Sequence, residues 1–117
     1  MRLRRSRDFR RVWDEGRSWA HPLFIVWAAP HERYEPRIGI IASRKVGKAV
    51  QRNRARRLLR EAARLLYPQV AAGWDIVLVA RAPIVRAKGE EVKSAMRSLF
   101  REAGLLRSAE IEEGSRS

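Results

Sequence analysis

Residues 37–66 read RIGIIASRKVGKAVQRNRARRLLREAARLL, and the hydrophobic period changes partway through this stretch. Arg37 to Ser43 is a short apolar run containing Ile38, Ile40 and Ile41, the pattern of a strand. A basic loop follows, Arg44-Lys45-Val46-Gly47-Lys48. From about Val50 the apolar residues fall at helical spacing, and the helix runs to Leu66, with Pro68 stopping it. A strand that passes through a charged loop into a long helix places the chain among mixed α and β folds.

The flanking segments extend this order. Ser6 is placed to cap a first helix through Asp8, Phe9, Val12 and Trp13, ending before Gly16. Phe9, Val12 and Trp13 share one face of it, while Arg7, Arg10 and Arg11 lie largely on others. Trp19 to Ala28, with Leu23-Phe24-Ile25-Val26-Trp27 at its centre, reads as strand, and Pro22 is positioned to divide it in two. Asp75 to Ala80 is the clearest strand. A last helix from roughly Glu90 to Ala103 carries Val92, Met96, Leu99 and Phe100 before Gly104. The expected order is helix, two or three strands, helix, strand, helix: an α+β layer with helices packed on one sheet. Trp19 and Trp74 are assigned to packing.

On a helical wheel, Arg52, Asn53, Arg56, Arg57, Arg60 and Arg64 fall on one arc, and Ala55, Leu58, Leu59, Ala62, Leu65 and Leu66 on the opposite one. Arg54 falls at the margin. Arg52, Arg56, Arg60 and Arg64 recur at i+4 and form a ridge about 18 Å long. Like charges at this spacing destabilise a helix by a few tenths of a kcal/mol each. A row of mutually repelling guanidinium groups is accounted for by a polyanion that neutralises it. Arg44, Lys45 and Lys48 precede the helix, near the positive end of its dipole, where free N–H groups also favour anions.

The whole chain agrees with this reading. It has 117 residues and a formal net charge of +13, from 26 Lys and Arg against 13 Asp and Glu. Ser43 to Arg64 alone holds 9 basic residues and 1 acidic one. Arginine outnumbers lysine 22 to 4; a GC-rich genome favours the same ratio, so the position of the charges carries the argument. The length suits one domain, residues 1–106, followed by a short polar tail, 107–117, read as disordered. The absence of cysteine excludes disulfides and thiolate chemistry, and His21 and His31 match no zinc-binding spacing. No D-x-D cluster or histidine pair suggests a protein nuclease. No apolar run approaches the ~18 residues that span a bilayer. A soluble, cytoplasmic nucleic-acid-binding protein is expected, with no membrane and no protein partner implied.

The string Lys45-Val-Gly-Lys-Ala-Val-Gln-Arg52-Asn53-Arg54-Ala-Arg56-Arg57-Leu-Leu-Arg60-Glu61 resembles the R-N-R signature of the bacterial ribonuclease P protein subunit. The likeness begins at Ser6-Arg-Asp-Phe9-Arg-Arg-Val-Trp13, passes Arg37-Ile-Gly-Ile and ends at Ile76-Val-Leu-Val-Ala-Arg81-Ala-Pro83. It covers nearly all of the chain except the tail.

The resemblance implies a fold of order αβββαβα, with about four strands in a single sheet and a left-handed β-α-β crossover, like the second domain of a small-subunit ribosomal protein. It implies that a large catalytic RNA, not the protein, removes the 5′ leader of precursor transfer RNA by magnesium-dependent hydrolysis. No catalytic residues are then expected in the protein, and magnesium is held mainly by the RNA and the substrate. Arg52, Asn53, Arg54, Arg56, Arg57 and Arg60, with Arg44, Lys45 and Lys48, would lie against that RNA. Phe9, Trp13 and Trp27 match positions lining the family's cleft for the single-stranded leader, where aromatic faces stack on bases. Tryptophan at sites often held by phenylalanine or tyrosine changes the cleft's shape and keeps a stacking surface. A ribosomal-type structural protein, a helix-turn-helix DNA binder and an enzyme acting without RNA are the competing readings.

Overall fold

The computed structural model describes residues 2, 3 and 5–107. In chain order the elements are α1 (Ser6–Glu15), β1 (Arg17–Ala20), β2 (Phe24–Pro30), β3 (Arg37–Ile41), α2 (Ala49–Leu66), β4 (Trp74–Ala80) and α3 (Gly89–Glu102). This is the expected αβββαβα order. The long apolar segment around Phe24 does split, because His21-Pro22 turns the chain and lets β1 pair antiparallel with β2.

Strand β2 is apolar at every position from Phe24 to Ala29, so both of its sides can be covered. It lies inside the sheet, whose order is β1-β2-β4-β3, with β4 antiparallel to β2 and parallel to β3. Strands β3 and β4 are neighbours, and α2 crosses between them.

The two sides of the sheet are covered unequally. Phe24, Val26, Ile38, Ile76 and Leu78 pack against Ala55, Leu58, Leu59 and Ala62 of α2 and Val92, Met96 and Phe100 of α3. This is the main core. On the other side, Val12 of α1 and Leu3 cover only Ala29 and Val77 fully. Trp27, Ile41 and Val79 on that side are half-buried, and so is Ile25. One short helix cannot cover a four-stranded sheet, and this side stays half-exposed where the resemblance places the cleft.

Local departures from the sequence pattern have physical causes. Ser6 is the first helical residue of α1, not its cap; Arg5 holds the cap position in extended conformation. Leu65, expected on the apolar arc, is half-exposed, while Ala63 is buried and lines a groove with Ile38 and Ile40 of β3. Gly104 adopts φ +75° directly after α3, a left-handed stop that glycine adopts without steric cost. Leu106 bridges Val70, and the Arg107 N–H donates to the Gln69 carbonyl at 2.8 Å. Residues 108–117 of the expected tail lie outside the described residues.

Candidate nucleic-acid interface

Helix α2 presents its cations as the wheel requires. Arg57, Arg60 and Arg64 are exposed, and among the described residues none of them joins an ion pair or a hydrogen bond. Arg56 and Arg52 are half-buried and partly tied down. Arg56 donates to the Asn53 side chain at 3.0 Å, and Arg52 to the Gly47 carbonyl at 3.2 Å. These contacts fix the roots of the ridge and leave its outer groups in solvent.

The loop before α2 folds into a 3-10 turn, Arg44–Val46, whose buried Val46 anchors it. The Ser43 hydroxyl accepts from the Lys45 N–H at 3.3 Å, and Gln51 accepts from the Lys48 N–H at 2.6 Å. Gly47 has φ +145°, a conformation that side chains resist. Arg44, Lys45 and Lys48 are thereby held exposed beside the helix N-terminus.

Arg54 is set apart from the row. Its guanidinium turns inward and donates to the carbonyls of Val85 and Ala87 at 2.8 and 2.9 Å. It ties α2 to the segment leading into α3, a role its marginal place on the wheel foreshadows.

The second surface is the cleft. Trp27, Val77 and Gly39 form one cross-strand row, with Ile25, Val79 and Ile41 as the next. Trp13 reaches over from α1 and meets Trp27 edge-on, with ring centroids 5.1 Å apart and planes at 84°. Such pairs add about 0.5–1.5 kcal/mol beyond buried area. Phe9 lies on Gly39, where a β-carbon would come within 2.8 Å of its ring. The three aromatic residues singled out in the sequence therefore converge at one edge of α1.

A buried ionic cluster holds α1 in this place. Asp75 is fully buried and accepts from Nε and Nη2 of Arg37 at 2.8 and 2.7 Å and from Arg11 at 2.6 Å. Arg11 also donates to the Pro30 carbonyl at 2.7 Å, and Asp8 lies 3.6 Å from Arg37. Nε2 of His31 sits 3.3 Å from Asp75, while its Nδ1 accepts from the Arg33 N–H. Burial raises the pKa of Asp75, but hydrogen bonds from Arg37 and Arg11 outweigh it and hold the carboxyl below its ordinary value. The same bond to Asp75 raises the pKa of Arg37 above its usual value, against the opposing effect of burial.

Sequence reading missed this cluster. It put Arg11 among the surface arginines of α1 and gave Asp75 only a place at the start of a strand. A usable signal was present, since a charged residue opening an otherwise apolar strand is rarely buried unless paired.

Fold and site together define a small α+β protein with two distinctive faces, a guanidinium ridge on its crossover helix and a half-covered aromatic face under its first helix. The chain belongs to the Ribonuclease P family, whose model matches residues 1–104. It is 43% identical over 104 residues to the ribonuclease P protein component of Herpetosiphon aurantiacus, an alignment covering 89% of this chain and 85% of that protein. Against the protein component of Chloroflexus aurantiacus it is 47% identical over 106 residues, covering 90% and 78%. Among solved structures, the Staphylococcus aureus RNase P protein superposes with a TM-score of 0.82 at 27% identity, covering 91% of this chain and 97% of that one. The Thermotoga maritima RNase P protein gives 0.76 at 32% identity, covering 86% and 96%.

Proposed function

We propose that this chain is the protein subunit of a ribonuclease P ribonucleoprotein and acts in 5′ maturation of transfer RNA. The α2 ridge and the Arg44–Lys48 loop dock on the catalytic RNA. The cleft of Phe9, Trp13 and Trp27 holds the unpaired 5′ leader of a precursor transfer RNA. One observation carries the reading: α2 exposes three guanidinium groups that are unpaired among the described residues, and the opposite side of the sheet carries a half-covered aromatic face. A protein with a single basic face needs no such cleft.

The chain's contribution is binding and placement. Guanidinium groups meet phosphates bidentately, and each contact releases condensed counterions. Stacking on aromatic faces holds unpaired bases at ~1–3 kcal/mol each without reading their sequence. Among the described residues no group of three or more His, Asp or Glu side chains converges to hold a metal ion. We assign magnesium and the hydrolytic step to the RNA and substrate, as the family resemblance implies, with the protein lowering the metal concentration required by neutralising phosphates. No described helix is long and apolar enough to cross a membrane. The cytoplasm is the proposed location because the reading places this chain on precursor transfer RNA.

Reconstitution with the chain's own catalytic RNA across a magnesium series tests this. The protein is expected to shift cleavage of precursor transfer RNA to lower magnesium. An unchanged magnesium requirement, with tight binding to ribosomal RNA, would instead establish the structural ribosomal-type reading.

A further inference from the structure

The edge of β3 faces a groove that shares Arg56, Arg60 and Arg64 with the ridge but has apolar walls that phosphate contacts along the ridge do not explain. Leu3, Ile38 and Ile40 form one wall, and Ala63, Tyr67 and Pro68 form the other. Four guanidinium groups rim it, from Arg2, Arg56, Arg60 and Arg64, and no carboxylate lines it. Its volume is about 840 Å³, within the ~300–1,000 Å³ of pockets that enclose small organic ligands.

Among the described residues, the N-terminal segment pairs with β3 at one point. The Arg2–Ile38 bridge is closed by the Leu3 N–H donating to the Ile38 carbonyl at 3.2 Å. Backbone groups alternate sides along a strand, so the N–H and C=O of Ile40 turn toward this same edge. Among the described residues nothing bonds to them. The groove thus combines an apolar floor, one aromatic ring, a cationic rim and, among the described residues, a backbone donor and acceptor without a partner.

A bare phosphate ion matches only the rim. An apolar peptide matches only the floor and leaves four like charges uncompensated. A nucleotide turned out of an RNA strand matches both, with a flat base between two phosphodiesters. We propose that this groove binds one unpaired nucleotide of the partner RNA, its base on Ile40, Ala63 and Tyr67 and its flanking phosphates on the arginine rim. The proposal rests on the RNA-binding reading above and adds to it a pocket for a base, which phosphate contacts alone do not require.

Ultraviolet irradiation of the full-length chain bound to its catalytic RNA, then digestion and mass spectrometry, tests it directly. A nucleotide remnant is expected on the peptide carrying Tyr67 and Pro68. Remnants confined to peptides carrying Phe9, Trp13 or Trp27 overturn the proposal and leave the RNA-binding reading standing. In parallel, Ile40→Trp fills the groove without removing a cation. Affinity for the RNA should fall about tenfold, the loss of one stacked base, with the salt dependence unchanged. Unaltered affinity in a variant whose circular dichroism shows it folded overturns the proposal, as does capture of an extended peptide at this edge without effect on RNA. Failure of the RNA-binding reading itself looks different: no remnant anywhere, and a salt slope that Arg60→Ala does not change.

Discussion

Asp75 and Arg37 meet side by side across the parallel β3–β4 pair, and the carboxylate takes a forked bond from the guanidinium at 2.8 and 2.7 Å. Paired charges directly across a sheet are usually a surface device. Here α1 lies over them and contributes Arg11 as a second donor. The cluster joins the first helix to the sheet beneath it, so the placement of the aromatic residues of α1 over the sheet depends on this charge pair.

Asp75→Asn should therefore cost about 3–5 kcal/mol, because it leaves buried guanidinium groups without their counter-charge. Urea unfolding at neutral pH measures this. The folded pKa of Asp75 lies below that of the unfolded chain, near 3.9. Its stabilisation is thus fully present above that pH and is lost as pH falls through the folded value. The native chain should lose stability in acid more steeply than the variant. Parallel stability–pH curves below pH 4 would show that the carboxylate contributes nothing by titration.

Gly39 sets the floor on which Phe9 rests. A methyl group there would come within 2.8 Å of the Phe9 ring and 3.0 Å of Leu3 Cβ. Gly39→Ala should destabilise the protein by about 1–3 kcal/mol, as overpacking does. In a Phe9→Ala background the same change should cost much less, since the ring it strikes is gone. Additive costs in that double-mutant cycle would place the strain elsewhere.

Trp13 is 37% exposed and touches Trp27 edge-on, so its free face is available to a base. Trp13→Ala should weaken binding of leader-bearing precursor by about 1–3 kcal/mol. Mature transfer RNA, which has no leader, should bind the holoenzyme as before. Equal losses for the two RNAs would mean that Trp13 supports the fold and does not meet the leader.

The order of elements was legible because hydrophobic period changes cleanly along the chain, from helical around Val12 to strand-like around Phe24 and back to helical after Val50. The ridge was legible for the same reason: its residues belong to one helix, whose wheel follows from spacing alone. The cleft's three aromatic residues come from α1 and β2, and only the family resemblance joined them. The Asp75 cluster and the β3 groove were not legible. Arg11, His31, Arg37 and Asp75 come from four segments, and Arg2, Ile40 and Tyr67 from three. Such sets are assembled by strand pairing, which a linear pattern does not encode. Arg54 lies between these cases, since its wheel angle excluded it from the ridge without naming Val85 and Ala87 as its acceptors.

Arg54 and Arg57 accordingly make a matched pair for separating folding from binding. Arg57 is exposed and unpaired among the described residues, whereas Arg54 donates to two carbonyls. Arg57→Ala should leave unfolding within about 0.5 kcal/mol of the native chain, as surface changes do. It should reduce the slope of log affinity against log salt by about one, the signature of one lost phosphate contact. Arg54→Ala should do the reverse. It strands two carbonyls at about 1–3 kcal/mol each if water cannot reach them, and the salt slope of the folded fraction should hold. Affinity measured at four or more salt concentrations, together with urea unfolding of each variant, separates the two outcomes. A reduced slope in Arg54→Ala would return that guanidinium to the RNA surface, while an unchanged slope in Arg57→Ala would remove the centre of the ridge from it.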